Sequence, residues 1–204
     1  LTNTSNINYF LPYTIYFSFL LFILCISLLI NTDKKWISVG TQGLTFLIIL
    51  LIFYLFLVIF FNSDFIFRPV LLFNRGMLLN YFTSAISSYI LFFTVIFLLG
   101  SWKFFFSKKN KLGEFIEYPI LIGFSVFFLL ALISSYDLMV VYLTLEGLSV
   151  LLYVLAAYPF KQSSLEASIK YYSLGALSSG ILLFGISLIY GIIGAFDFLN
   201  IKFL

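Results

Sequence analysis

Apolar residues run along this chain in six long blocks rather than in strict alternation, and the short breaks between blocks hold most of the charges. Each block is near the roughly 20 residues an α-helix needs to cross the hydrocarbon core of a bilayer. The blocks run from about Tyr9 to Ile30, Val39 to Phe61, within Gly76 to Trp102, Tyr118 to Ser135, Leu138 to Tyr158, and Ser164 to Gly194. Pro12 falls in the first turn of the first block and Pro119 opens the fourth, positions where a proline's missing N–H costs nothing. The fifth block stops before Pro159. The sixth is long and rich in glycine, which predicts tilt or a break. The pattern predicts an all-α membrane protein of about six transmembrane helices. Residues 1–115 hold three of them with their loops, and residues 116–204 hold helices four to six.

Composition agrees. The chain of 204 residues is 63% hydrophobic and 9% charged, with a mean hydropathy of +1.15, whereas soluble domains carry about 25% charged residues. Several chemistries are excluded. Cys25 is the sole cysteine, so no intrachain disulfide and no cysteine-ligated iron–sulfur cluster can form within the chain. With no histidine, bis-His haem ligation and histidine acid–base catalysis are absent. No glycine pattern of a phosphate loop or dinucleotide site occurs. A net charge of +3 without basic–aromatic interleaving gives no support for nucleic-acid binding. No cofactor is expected in the chain. The N-terminal residues show neither a basic n-region nor an arginine-rich amphipathic pattern, so no secretory signal or import presequence is expected there.

Basic residues are unequally shared between the two sets of loops. Lys34, Lys35, Lys103, Lys108, Lys109, Lys111 and Lys161 follow helices one, three and five, whereas Arg68, Arg75 and Lys202 lie on the other side. The positive-inside rule puts the first set in the cytoplasm or matrix and both termini outside.

One charge stands inside a block. Glu146 is the only charged residue between Leu138 and Phe160. A carboxylate near the centre of a spanning helix costs about 2.5–3.5 kcal/mol on insertion scales, so it is kept where it pairs, titrates, or both. Helical spacing puts Tyr142, Glu146, Ser149 and Tyr153 on one face, a polar stripe with hydroxyls a turn away on either side. Burial raises a carboxyl pKa and a nearby cation lowers it, so a Glu held between them can relay protons. The plainer alternative is a Glu that only pins helix packing through a fixed hydrogen bond. Glu166 and Lys170, four apart, form either an ordinary surface pair or place Lys170 as a cation coupled to the Glu146 path. Asp137 is suited to cap helix five, and Asp33, Asp64, Glu114, Glu117 and Asp197 read as solvated loop charges. Ala176 with Gly180, and Ser187 with Gly191, give helix six a small-residue packing face.

The runs Asp137-Leu138, Tyr142-Leu143, Leu145-Glu146 and Tyr153-Val154-Leu155-Ala156-Ala157 resemble the fifth helix of the subunit 2 family of NADH dehydrogenase, antiporter-like subunits in the membrane arm of respiratory complex I. Glu166-Ala167, Lys170-Tyr171-Tyr172, Leu174 to Gly180, and Gly185 to Gly191 resemble that family's sixth helix. The resemblance covers about 60 residues strongly. It implies a fourteen-helix antiporter-like fold built on inverted repeats, of which this chain holds the first part with an incomplete repeat. It also implies that Glu146 is the proton-relay glutamate, with Lys170 a second candidate, and that a lysine on the family's seventh helix partners Glu146. A second polypeptide is expected to complete the subunit, beside other membrane-arm subunits and lipids. NADH, flavin, iron–sulfur clusters and ubiquinone are expected in other chains. The abundance of Phe, Tyr, Ile, Asn and Lys, which have A/T-rich codons, points to an organellar gene. The expected location is the mitochondrial inner membrane with the termini on the intermembrane-space side. A subunit of a multi-subunit cation/proton antiporter, and a structural membrane subunit with an inactive channel, are the alternatives.

Overall fold

The computed structural model describes residues 13–23, 48, 52, 70–72, 76–105, 117–158 and 160–202. Its elements are helix α1 (Tyr13–Ile23), strands β1 (Val70–Leu72) and β2 (Met77–Leu79), and helices α2 (Tyr81–Phe105), α3 (Glu117–Ser134), α4 (Leu138–Ala157), α5 (Gln162–Ile193) and α6 (Phe198–Lys202). Among them, α4, α5 and the Tyr81–Gly100 part of α2 are long and apolar enough to cross a membrane. The ends of the first predicted span, most of the second, Cys25, Asp33, Asp64, Glu114 and the basic residues Lys34, Lys35, Arg68, Arg75, Lys108, Lys109 and Lys111 lie outside the described residues. Ile48 and Ile52, inside the second span, are helical and buried.

The chain divides into two compact units. In the first (Leu1–Asp64 and Ser84–Phe127), α1 buries Tyr16, Leu20 and Ile23, spaced along one helical face. The Tyr16 hydroxyl donates to the Gly123 carbonyl at 2.9 Å. Gly123 is there because Leu20 occupies its side-chain space: a Cβ would lie 2.8 Å from Leu20 Cδ2. Phe17 stacks on Phe127 at 4.8 Å and meets Phe124 edge-on at 6.0 Å. Without a hydrophobic drive between helices in lipid, such notch-and-ring packing with a satisfied hydroxyl is what holds helices together.

The second unit (Phe65–Thr83 and Phe128–Leu204) opens with an antiparallel hairpin pairing Val70 with Leu79 and Leu72 with Met77. The sequence pattern put the third helix within Gly76 to Trp102 and expected no strand before it. The structure corrects this, starting α2 at Tyr81 and carrying it to Phe105. The start is set by capping. Thr83 N donates to Asn80 Oδ1 at 2.8 Å while Asn80 N donates to Thr83 Oγ1 at 2.9 Å, reciprocally satisfying two donors of the first turn. Between α3 and α4 the chain lies beside the hairpin: Tyr136 N donates to the Gly76 carbonyl at 2.8 Å, and Met77 bridges Ser135. On its other flank Asp137 bridges Asp197, and Leu138 N donates to the Phe196 carbonyl. Asp137 caps α4 as its position predicts, accepting from Met139 N at 2.9 Å.

Helices α4 and α5 are joined by residues 158–161 and pack together antiparallel. In the connector Phe160 takes a left-handed φ of 59°, a conformation that strains a residue bearing a Cβ. Its N–H donates to the Ala157 carbonyl, which also accepts from Ser164 Oγ at 2.9 Å, so the end of α4 is closed from two directions. Of the tilt or break expected in the sixth span, the break is absent: α5 is one helix of 32 residues, about 48 Å long at 1.5 Å per residue. That exceeds a hydrocarbon core of roughly 30 Å, and its polar first turns, with Glu166 and Lys170, fit the surplus. Gly194 ends it at φ 72°, its N–H on the Tyr190 carbonyl, the left-handed stop that glycine allows.

Candidate functional site

Glu146 is the ninth of the 20 residues of α4, about 12 Å along a helix of about 30 Å. It is thus near the middle of the span and half-buried. Among the described residues its carboxylate has no hydrogen-bond or ion-pair partner, and no cation lies beside it. Immediately next to it, Gly147 is filled by the ring of Phe128 from α3, which occupies the space a Cβ would need. An apolar ring from α3 therefore covers the position next to the carboxylate.

The predicted polar face forms. Tyr142, Glu146, Ser149 and Tyr153 are all half-buried along α4. Their hydroxyls do not bind the carboxylate directly, however. Ser149 Oγ donates to the Glu146 backbone carbonyl at 2.8 Å, the local back-bond by which a serine satisfies itself inside a helix. Tyr153 points across to α5. Its hydroxyl lies in the space where Gly175 lacks a side chain, and its ring meets Tyr171 edge-on at 4.8 Å and Tyr172 at 5.6 Å.

Lys170 is held elsewhere. Its Nζ is 2.6 Å from Glu166 Oε1, with both side chains mostly exposed at 70% and 66%. Since Tyr153 meets Tyr171 and Tyr172, Lys170 lies level with the last turns of α4, while Glu146 is seven residues and about 10 Å deeper. The structure therefore brings Lys170 to Glu166 and not to Glu146. The small-residue face on α5 divides likewise: Gly175 is filled from within by Tyr153, whereas Gly180, Gly185 and Gly191 have nothing within 4 Å of a built Cβ. The Tyr153–Gly175 seat was not visible in the spacing of either helix alone, although both residues lie in the runs that carry the resemblance. Among the described residues no cluster of His, Cys, Asp and Glu could hold a metal.

The described helices have counterparts of similar fold in respiratory membrane complexes. The chain superposes on a chain of respiratory complex I from Thermus thermophilus with a TM-score of 0.68, at 19% identity, over 91% of this chain and 38% of that one. It also superposes on a chain of the membrane-bound sulfane sulfur reductase, an archaeal respiratory membrane complex, with a TM-score of 0.61 over the same shares. Residues 135–204, which hold α4, α5 and Glu146, match the family model described as NADH:quinone oxidoreductase/Mrp antiporter, TM. Among curated relatives, subunit N of the NADH-quinone oxidoreductase of Magnetococcus marinus is 42% identical over 62% of this chain and 26% of its own length. Subunit N of Pelagibacter ubique is 51% identical over 41% of this chain and 18% of its own. The chain spans about a quarter of the length of the first of these relatives.

Proposed function

We propose that this chain is the N-terminal part of a subunit 2 (subunit N) of respiratory complex I, moving protons across the membrane as quinone is reduced in other subunits. The observation that carries this reading is the carboxylate of Glu146, near mid-span and without a partner among the described residues, inside the stretch that matches the family. A lone carboxylate there is costly. It is sustained by taking up a proton, or by a cation brought from the remainder of the fold. In the paired state attraction keeps it ionised; when the cation withdraws, desolvation drives it to bind a proton. Glu146 is thus the titrating group. Lys170, locked to Glu166 at the exposed end of α5, serves as a cation at the mouth of the route rather than as a step beside Glu146. The remaining helices, supplied by further polypeptide, complete the subunit among other membrane-arm subunits and lipids, and NADH, flavin, iron–sulfur clusters and ubiquinone belong to other chains. The codon-linked composition and the lysine asymmetry support a mitochondrial inner-membrane location with the termini facing the intermembrane space.

The family description also covers cation/proton antiporters, but the named curated relatives are quinone oxidoreductase subunits, which favours the redox-coupled reading. The test is Glu146→Gln in the assembled complex. The amide keeps shape and hydrogen bonding but cannot titrate. Quinone reduction with sharply reduced proton translocation is expected; wild-type pumping by the assembled variant would make Glu146 a packing element.

A further inference from the structure

Along α5 the residues withdrawn from solvent are Ser164, Ser168, Gly175, Ser179, Gly185, Ile186 and Ile193, most of them four or seven apart. This is the seam spacing of two helices packed at a shallow angle. Its chemistry changes along its length. From Ser179 back to Ser164 it offers only hydroxyls and a glycine, and beyond Ser179 a glycine and two isoleucines, with no hydroxyl. On the facing helix, Glu146, Ser149 and Tyr153 line the hydroxyl half. A seam with polar residues from mid-span to one end only is asymmetric, and the polar half leads from Glu146 toward the α4–α5 connector.

Within that half the serines are engaged. Ser149, Ser164, Ser168 and Ser179 each donate to a backbone carbonyl of their own or the preceding helix. Among the described residues, Tyr153 is the one hydroxyl of this half with no hydrogen-bond partner. It is fixed by its ring, edge-on to two other tyrosines, and its hydroxyl sits in the notch of Gly175. A phenol normally finds a partner when it is taken from water. A hydroxyl held in place by packing and left without a protein partner is free to bind water and pass a proton. Glu146 and Ser149 differ by about 4.5 Å of helical rise, and Ser149 and Tyr153 by about 6 Å, gaps of one or two water molecules each.

We infer that Tyr153 is the relay hydroxyl through which Glu146 exchanges protons with the aqueous phase at the α4–α5 connector, and that Gly175 exists to seat it. This rests on the reading of Glu146 as the titrating group. The transfer is a chain of exchanges. Tyr153 Oη accepts a proton from a hydronium on the connector side, leaving water, and releases its own to water on the Glu146 side. Successive waters past Ser149 hand a proton on to the Glu146 carboxylate, and Tyr153 ends neutral. Lys170, pinned by Glu166, is not a step in this chain.

Tyr153→Phe separates relay from packing, because it keeps the ring in its seat and removes only the hydroxyl. In the assembled complex, reconstituted in vesicles, Tyr153→Phe should retain quinone reduction and lose pumping by about a hundredfold, the lower end of the scale on which a positioned proton-transfer group acts. Gly175→Ala, which keeps the phenol but displaces it, should give a similar loss. Wild-type pumping by either assembled variant, alongside impaired pumping by Glu146→Gln, would overturn the role of Tyr153 and leave Glu146 intact. Wild-type pumping by Glu146→Gln as well would overturn both.

Discussion

Tyr16, Leu20 and Ile23 on α1 are wholly buried within this chain, and the Tyr16 hydroxyl, the Leu20 side chain and the Gly123 notch account for one another. Along α4, by contrast, Thr144 is the only buried residue, and along the 32 residues of α5 only Ser168 and Ile186 are. Leu174, Leu177, Ile181, Phe184, Leu188 and Ile192 stand open on α5. The two regions are equally apolar, so hydropathy does not separate them. What separates them is how much of each is covered by described residues of this chain. One face of α1, through Tyr16, Leu20 and Ile23, is fully packed, while Ile15, Leu21 and Phe22 stay exposed. The α4–α5 pair packs along one seam, with Phe128 of α3 against Gly147, and otherwise presents apolar surface uncovered by the described residues.

The contrast breaks most readily on the packed side. Tyr16→Ala removes a fully buried ring and leaves the Gly123 carbonyl without its donor, and should cost about 3–5 kcal/mol. The yield of assembled complex and its thermal midpoint should both fall, and an unchanged midpoint would mean that α1 is not held as described. Leu177→Ala probes the open side. If the rest of the fold covers α5, the assembled complex should lose about 2 kcal/mol. A change within about 0.5 kcal/mol, the value for an uncovered surface position, would leave that face to lipid. Gly147→Ala tests the notch beside Glu146. The added Cβ meets the Phe128 ring and should destabilise by about 1–2 kcal/mol. Phe128→Leu should recover part of that loss, measured as a double-mutant cycle on the same midpoint. The smallest effect belongs to the exposed Glu166–Lys170 pair. Lys170→Gln should change stability by less than about 1 kcal/mol and slow pumping less than Glu146→Gln does. A larger pumping defect than that of Glu146→Gln would reverse the ranking of the two residues.

Much of the fold was legible because the signals were local. Asp137 and Gly194 end helices through their own side chain or backbone freedom, so α4 and α5 begin and end within two residues of their predicted limits. The hairpin was not legible. Val70-Leu71-Leu72 and Met77-Leu78-Leu79 are three-residue apolar runs with no alternation, too short to signal a strand by their pattern. The glycines of α5 predicted a break, yet they serve as gaps on its surface, and one of them, Gly175, admits Tyr153. That role depends on a ring from another helix, 22 residues away, and no spacing along α5 discloses it. The polar stripe around Glu146 was visible from helical period alone. Its division into a serine engaged with the backbone and tyrosines whose hydroxyls bond no described residue required the hydrogen bonds.

The central claim is that Glu146 gains and loses a proton as the complex turns over. Infrared difference spectroscopy of the assembled complex, with quinone reduction started and stopped, reads that event at the carboxyl group. A protonated-carboxyl band that rises and falls with turnover, shifts in deuterated water and is absent from Glu146→Gln is the predicted result. A turnover spectrum of Glu146→Gln with every carboxyl band of the wild type intact would contradict it.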